Sequence, residues 1–257
     1  DKLHPRITET AKRLYMLYLG LTLSEFLLLK VAGMSWFDAI NHAMATMSTG
    51  GFSTKNSSVA YWNSAPLIQY IIALFMFIAG TNFVLTYFVF QGKISKLRDN
   101  EEFRWYLRII LVCTAILTIL IVFFQNPELQ SSIIHPEVWG NFESSFRHSL
   151  FQVLSIITTT GFVSADFTMW NSIAIALIFI LFFVGGSAGS TSGGVKVVRQ
   201  VIMIKHSLLE LKKQIHPNAI IPVRYNNKGV KPNIVYNILS FFVFYILIAL
   251  ISILIFT

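Results

Sequence analysis

FDAINHAMATMSTGGFST, residues 37–54, returns in outline as RHSLFQVLSIITTTGFVS, residues 147–164. Aligning Gly51-Phe52 with Gly161-Phe162 sets a displacement of 110 residues, and Trp62-Asn63-Ser64 then matches Trp170-Asn171-Ser172 with two residues lost between. A long apolar run follows each copy. Two tandem copies of one unit therefore occupy most of the chain, and everything else is read from that, because a missed repeat misassigns a whole fold.

Composition states where the unit works. Of 257 residues, 54% are hydrophobic, only 12% are charged and 23 are Phe, with a mean hydropathy of +0.63, far from the average soluble domain. Apolar runs at 15–31, 65–90, 106–124, 173–186 and 234–256 approach or exceed the roughly 20 residues that carry a helix across the hydrocarbon layer. They predict five crossings, the fourth broken by glycines. Cys113, the single cysteine, excludes an internal disulfide, and no spaced Cys/His set suggests zinc. Seventeen of the 20 Lys and Arg fall in three segments, at 2–13, 93–108 and 196–231. The polar segments between, 30–62 and 126–170, hold Lys30, Lys55 and Arg147 against Asp38, Glu128, Glu137, Glu143 and Asp166. This positive-inside pattern makes the three basic segments, and so the N-terminus, cytoplasmic. The net charge of +8 gathers at span ends rather than in one stripe, which argues against nucleic acid as a partner. No cleavable signal peptide opens the chain, which starts at Asp1 rather than Met and is expected to be a piece of a longer protein.

Sidedness and length together constrain the repeated stretch. The short helices predicted at Trp36–Met47 and 143–157 have about 11 to 15 residues, half a bilayer at 1.5 Å per residue, and both flanks of each must lie outside. Each must enter the membrane and turn back, which the unwound backbone tolerates only where it lines a water- or ion-filled cavity. There Ser48-Thr49-Gly50-Gly51-Phe52 and Thr158-Thr159-Thr160-Gly161-Phe162 place small residues just past a helix C-terminus, whose partial negative charge and free carbonyls suit a dehydrated cation. Glycine at 51 and 161 permits positive φ and lets successive carbonyls point one way. A divalent ion would recruit carboxylates. The loops contain none, Asp166 standing past Phe162 at the mouth, so a monovalent cation is the expected guest.

VGGSAGSTSGGVK, residues 184–196, has the Gly189 to Gly194 spacing of a phosphate loop, but Val195 stands where lysine is required and no strand precedes it. Nucleotide binding fails, and the chain is not read as an enzyme. What remains is a helix broken at membrane depth, with its loose backbone facing a cavity. The first copy holds only Ala79-Gly80-Thr81-Asn82 in the comparable region, so the break is read as peculiar to the second.

AMATMSTGGFST (43–54), SIITTTGF (155–162), GGSAGSTSGGVKVVR (185–199) and IHPNAIIPVR (215–224), in that order and across essentially the whole chain, resemble the TrkH/TrkG-type membrane subunits of bacterial potassium uptake systems, in the Trk/Ktr/HKT superfamily. The resemblance implies an all-α polytopic membrane protein of tandem helix–pore loop–helix repeats as in potassium channels, with one broken transmembrane helix. Residues 1–92 would be the second of four repeats, 93–204 the third, 205–232 a cytoplasmic basic amphipathic linker, and 233–257 the first helix of the fourth. Two of four pore loops would then be present, and the chain alone is expected not to conduct. The resemblance places filter carbonyls on Thr49, Gly50, Thr159 and Thr160, with Gly51 and Gly161 as filter glycines, potassium as substrate with modest selectivity over sodium, and no cofactor. It implies an intramembrane gate at Gly185, Gly186, Ser187, Ala188, Gly189, Ser190, Thr191, Ser192, Gly193 and Gly194. Lys196 and Arg199 would stand at its cytoplasmic exit, as snorkelling anchors or as participants in gating. A homodimer in a bacterial inner membrane, with a cytosolic nucleotide-binding regulatory subunit of TrkA type on the cytoplasmic face, is implied as well. The expected function is that of a pore-forming potassium uptake subunit; the alternative is a secondary transporter that couples potassium to sodium or a proton.

Four further features remain. Glu25 in the first span is read as a rim or interhelical hydrogen-bonding residue ahead of ion coupling. His42 and His148, which do not align under the displacement of 110, are read as packing or interfacial. His206 and His216 are cytoplasmic and too far apart in sequence for a metal site. SLLELKKQI, residues 207–215, suits a helix on anionic lipid or a docking surface.

Overall fold

A computed structural model describes residues 3–124, 140–215 and 222–256; Lys2, Glu128, Glu137, His216 and most of the 215–224 motif lie outside them. α1 (Leu3–Val31) is a long apolar helix. Ser35 then caps α2 (Trp36–Met47), its hydroxyl accepting from the Asp38 N–H. A short 3-10 turn (Ser58–Trp62) leads to α3 (Pro66–Ala79), which starts on proline, a residue the first helical turn accepts. α4 (Phe83–Phe90), capped by Asn82, completes the first unit, and α5 (Ile94–Asp99) leads into the second.

The second unit repeats the order. α6 (Glu101–Phe124) is the long helix, α7 (Asn141–Ile157) the short buried one, Phe167–Met169 the 3-10 turn, and α8 (Ser172–Leu181) the outgoing helix capped by Asn171. α9 (Val197–Ile215) runs without interruption through SLLELKKQI. A two-stranded hairpin, β1 (Arg224–Tyr225) against β2 (Lys228–Gly229), and α10 (Pro232–Phe256) follow.

Among the described residues three helices are long and apolar enough to cross a membrane, within α1, α6 and α10, and α3 with α4 make a fourth if taken as one bent span. The chain is an all-helical multi-pass membrane protein. Exposed Leu19, Leu23, Leu27, Leu111 and Ile119 line the outer faces of α1 and α6, as lipid-facing helices require. The short helices occupy the middle: α2 packs on α1 and α3, and α7 on α6 and α3. Leu29, Ala43, Ile72, Tyr106, Phe151 and Phe162 belong to the shared core.

The crossings depart from the sequence reading: five were expected, and among the described residues at most four meet the length and hydropathy of a span, 173–186 yielding only the ten-residue α8. Residues 65–90 were expected as a single long helix, with the break confined to the second unit. Instead α3 and α4 bend by 108° at residues 80–82. Asn82 carries the physical cause, since its side-chain oxygen takes the Val84 and Leu85 N–H groups and starts a new helix. Both outgoing helices are therefore broken, the first sharply and the second, after the ten residues of α8, by the long glycine-rich loop.

Candidate functional site

The two Thr/Gly loops are copies bond by bond. Ser48 N–H donates to Met44 O and Thr158 N–H to Leu154 O; Thr49 to Thr46 O and Thr159 to Ile156 O; Gly50 to Ala45 O and Thr160 to Ser155 O; Gly51 to Ala45 O and Gly161 to Ser155 O. Every pair is displaced by 110 residues. Thr49 and Thr159 both take left-handed φ, 53° and 55°, where a side chain is costly and the surroundings must hold it. Gly51 and Gly161 follow with φ of 66° and 85°, which glycine permits.

Beyond each loop the chain runs back along the helix it has just left. Ser53 Oγ meets His42 Nε2 at 3.0 Å, and the Thr54 hydroxyl donates to Asp38. In the second unit Ser155 donates to Phe162 O, Gln152 to Ala165 O at 3.1 Å, and Ser164 Oγ meets His148 Nδ1 at 3.0 Å. In both units residues past the loop bond back to the short helix before it, the pattern of a segment that enters and returns. Asp38 with Thr54 and His148 with Ser164 occupy equivalent positions, so the histidine stands where the first unit has an acid. The displacement of 110 already sets Asp38 against His148 in the sequence, and the structure adds the partner that each one reaches.

The two units meet at these loops. Val163 O accepts from Ala60 N–H at 2.9 Å and Val163 N–H donates to Ser58 Oγ at 3.1 Å. Phe162, 1% exposed, stacks on His42 with ring centroids 5.6 Å apart. A Cβ added to Gly51 would overlap the Thr160 carbonyl oxygen, so only glycine allows that approach. Behind α7, buried Arg147 donates to Glu143 at 2.9 Å and to Gln69, and Tyr70 donates to the same Glu143 oxygen at 2.9 Å. Arg147 is therefore a buried charge between α7 and α3 rather than an outer surface one.

The glycine-rich loop fills the space between these parts. It closes on itself through Gly185 N–H to Val195 O at 2.7 Å and Val197 N–H to Gly186 O at 3.1 Å. It then reaches both Thr/Gly loops: Gly193 N–H donates to Thr159 Oγ1 at 2.6 Å, and Thr49 Oγ1 donates to Thr191 O at 3.0 Å. It docks on the break of the first outgoing helix as well. Ser187 N–H donates to Gly80 O, Thr191 N–H to Ala79 O, Phe83 N–H to Gly189 O and Asn82 Nδ2 to Ala188 O. The three-residue break between α3 and α4 is the seat of the glycine-rich loop.

Lys196 folds onto the loop, its ammonium donating to the Ser192 carbonyl and lying 3.5 Å from Ser190 Oγ. Arg199 turns away, its guanidinium 4.1 Å from the Phe241 ring of α10. Glu25 is fully buried against Thr46 of α2. No group of three or more His, Cys, Asp or Glu among the described residues could hold a metal ion. The polar groups that converge here are backbone carbonyls, amides and hydroxyls, which suit a weakly held monovalent ion better than covalent chemistry.

Residues 1–257 match a family model described as TrkH, cation transport protein. The Trk system potassium uptake protein TrkH of Escherichia coli K12 is 36% identical over 99% of this chain and 50% of its own length. TrkG of the same organism is 33% identical over 99% of this chain and 50% of its own. A crystal structure of the potassium transporter TrkH from Vibrio parahaemolyticus superposes with a TM-score of 0.86 at 31% identity, covering 97% of this chain and 51% of that one. The chain thus spans about half the length of the curated relatives it matches.

Proposed function

The chain belongs to the TrkH family of cation transport proteins, and from that premise we propose that it supplies two pore loops and the gate of a potassium uptake subunit. The observation that carries this is the exact recurrence of hydrogen bonds in two re-entrant loops that a glycine-rich loop then touches at Thr49 and Thr159. Potassium sheds water against carbonyls of Thr49, Gly50, Thr159 and Thr160, with Gly51 and Gly161 setting the backbone direction. It then passes residues 185–194, which close the path below. Entry follows the membrane potential, about 2.3 kcal/mol per charge per 100 mV. Lys196 holds the closed loop, and Arg199 fixes the start of α9 to α10. The subunit works as a homodimer in a bacterial inner membrane, N-terminus inside, with a cytosolic nucleotide-binding subunit on the face that carries α9 and the hairpin.

The test is rubidium flux into liposomes carrying a chain completed to the relatives' full length. Gly161→Asp is expected to abolish uptake or its discrimination between potassium and sodium, and shortening 185–194 to raise leak in the closed state. Unchanged selectivity and leak would refute the two assignments. The second broken helix keeps one rival in play, a coupled transporter whose discontinuous helices bind substrate between alternately opening halves; slow, saturating uptake that requires sodium or a proton gradient would favour it.

A further inference from the structure

Glu102 belongs to neither the Thr/Gly loops nor the glycine-rich stretch, yet it is buried, 3% exposed, beside the latter. Its Oε1 accepts from the Ala188 backbone N–H at 2.6 Å. Val198, in the first turn of α9, and Lys196 lie near the same carboxylate. One side chain therefore holds the middle of the 185–194 loop beside the start of the helix that follows it. Hydrogen bonds to a carboxylate are among the stronger ones a protein makes, and this one joins the bonds that seat the loop on Thr49, Thr159 and residues 79–83.

The neighbouring residue faces the cytoplasm. Glu101 pairs with Lys205 of α9. Its Oε2 accepts from the Asn226 N–H at 3.1 Å, and its own N–H donates to Asn226 Oδ1 at 2.8 Å. Lys205 also donates to Arg224 O at 2.8 Å. Asn226 and Asn227, with φ of 47° and 62°, form the exposed two-residue turn of the hairpin. The first turn of α6 thus has the glycine-rich loop on one carboxylate and the cytoplasmic hairpin on the next.

We propose that Glu102 is a positioning residue for the gate loop, and that Glu101 beside it passes load on the cytoplasmic hairpin to that clasp. Adjacent residues of one helix move together, and a shift of about 1 Å takes a 2.6 Å hydrogen bond out of bonding range. The inference rests on the reading of 185–194 as a gate, and its test separates the two. In the chain completed to the relatives' length, amide hydrogen exchange is read over 185–194 and 223–230 alongside rubidium flux.

Glu102→Ala is expected to speed exchange in the loop by about tenfold or more, the weight of a hydrogen bond to a charged group, and to raise basal flux. Glu102→Gln, which keeps an acceptor for Ala188, stays near wild type in both. Lys205→Met speeds exchange in the hairpin and, less strongly, in the loop. Unchanged loop exchange in Glu102→Ala overturns the clasp, and unchanged loop exchange in Lys205→Met overturns its link to the hairpin. Faster exchange with unchanged flux upholds the clasp and overturns the gate reading beneath it. Should the alanine variant not fold, Glu102→Met against Glu102→Gln makes the same comparison at constant size.

Discussion

Gly51 and Gly161 occupy equivalent places under unequal constraint. Both hold positive φ, a conformation that costs an L-residue roughly 1–2 kcal/mol. A Cβ on Gly51 would also overlap the Thr160 carbonyl oxygen, whereas one on Gly161 meets nothing within 4 Å. Gly51→Ala is therefore expected to part the two loops and to lose folded protein, while Gly161→Ala lowers stability by about 1–2 kcal/mol and leaves the loops joined. Thermal melts of the two variants in detergent decide it; equal losses would mean that the loops do not press together at Gly51. The glycines were legible in the sequence because so few residues tolerate their backbone angles. The left-handed threonines before them were not, since threonine has no preference for that region and is held there by its neighbours. The displacement of 110 sets His148 against Asp38, but not their shared duty: an aspartate reaching Thr54 and an imidazole reaching Ser164 fill one role with different chemistry.

Helices were easier to read than their interruptions. Hydropathy marks 65–90 as one apolar stretch because Gly80, Thr81 and Asn82 are too few to lower a window average, although an Asn before an apolar run is itself a helix-start signal. That residue has two duties in the structure. Its Oδ1 caps α4, and its Nδ2 donates to Ala188 O at 2.6 Å in the glycine-rich loop. The duties can be separated, because aspartate caps a helix as well as asparagine does but has no amide to donate. Asn82→Asp is expected to keep α4 and free the loop, seen as faster hydrogen exchange at 186–191 with little change at 83–90. Asn82→Ala should lose both and cost about 1–2 kcal/mol more than a surface change. Matching exchange in the two variants would show that the amide does not restrain the loop.

The arrangement of whole units has a direction. Phe162 of the second unit is buried on His42 of the first, and Val163 pairs with Ser58 and Ala60 of the first, so each loop leans on the unit before it. By the same displacement of 110 residues Phe52 should lean on a unit before the first, and it is instead 81% exposed. A contact made head to tail leaves one unmatched face at each end until a ring closes. The residues alone showed two units, and four came only from the family resemblance, because the number of copies in a closed assembly is a property of their packing angle. An exposed aromatic whose twin is buried, together with relatives twice as long, is what an unclosed head-to-tail ring would leave. Two consequences are measurable. Liposomes carrying only these 257 residues should show no rubidium flux above protein-free controls. With Cys113 replaced by Ser, Phe52→Cys should react rapidly with a thiol reagent in this chain and be shielded in one of the relatives' full length. Equal labelling in the two would mean that Phe52 meets no neighbour, and the head-to-tail ring would have to be given up.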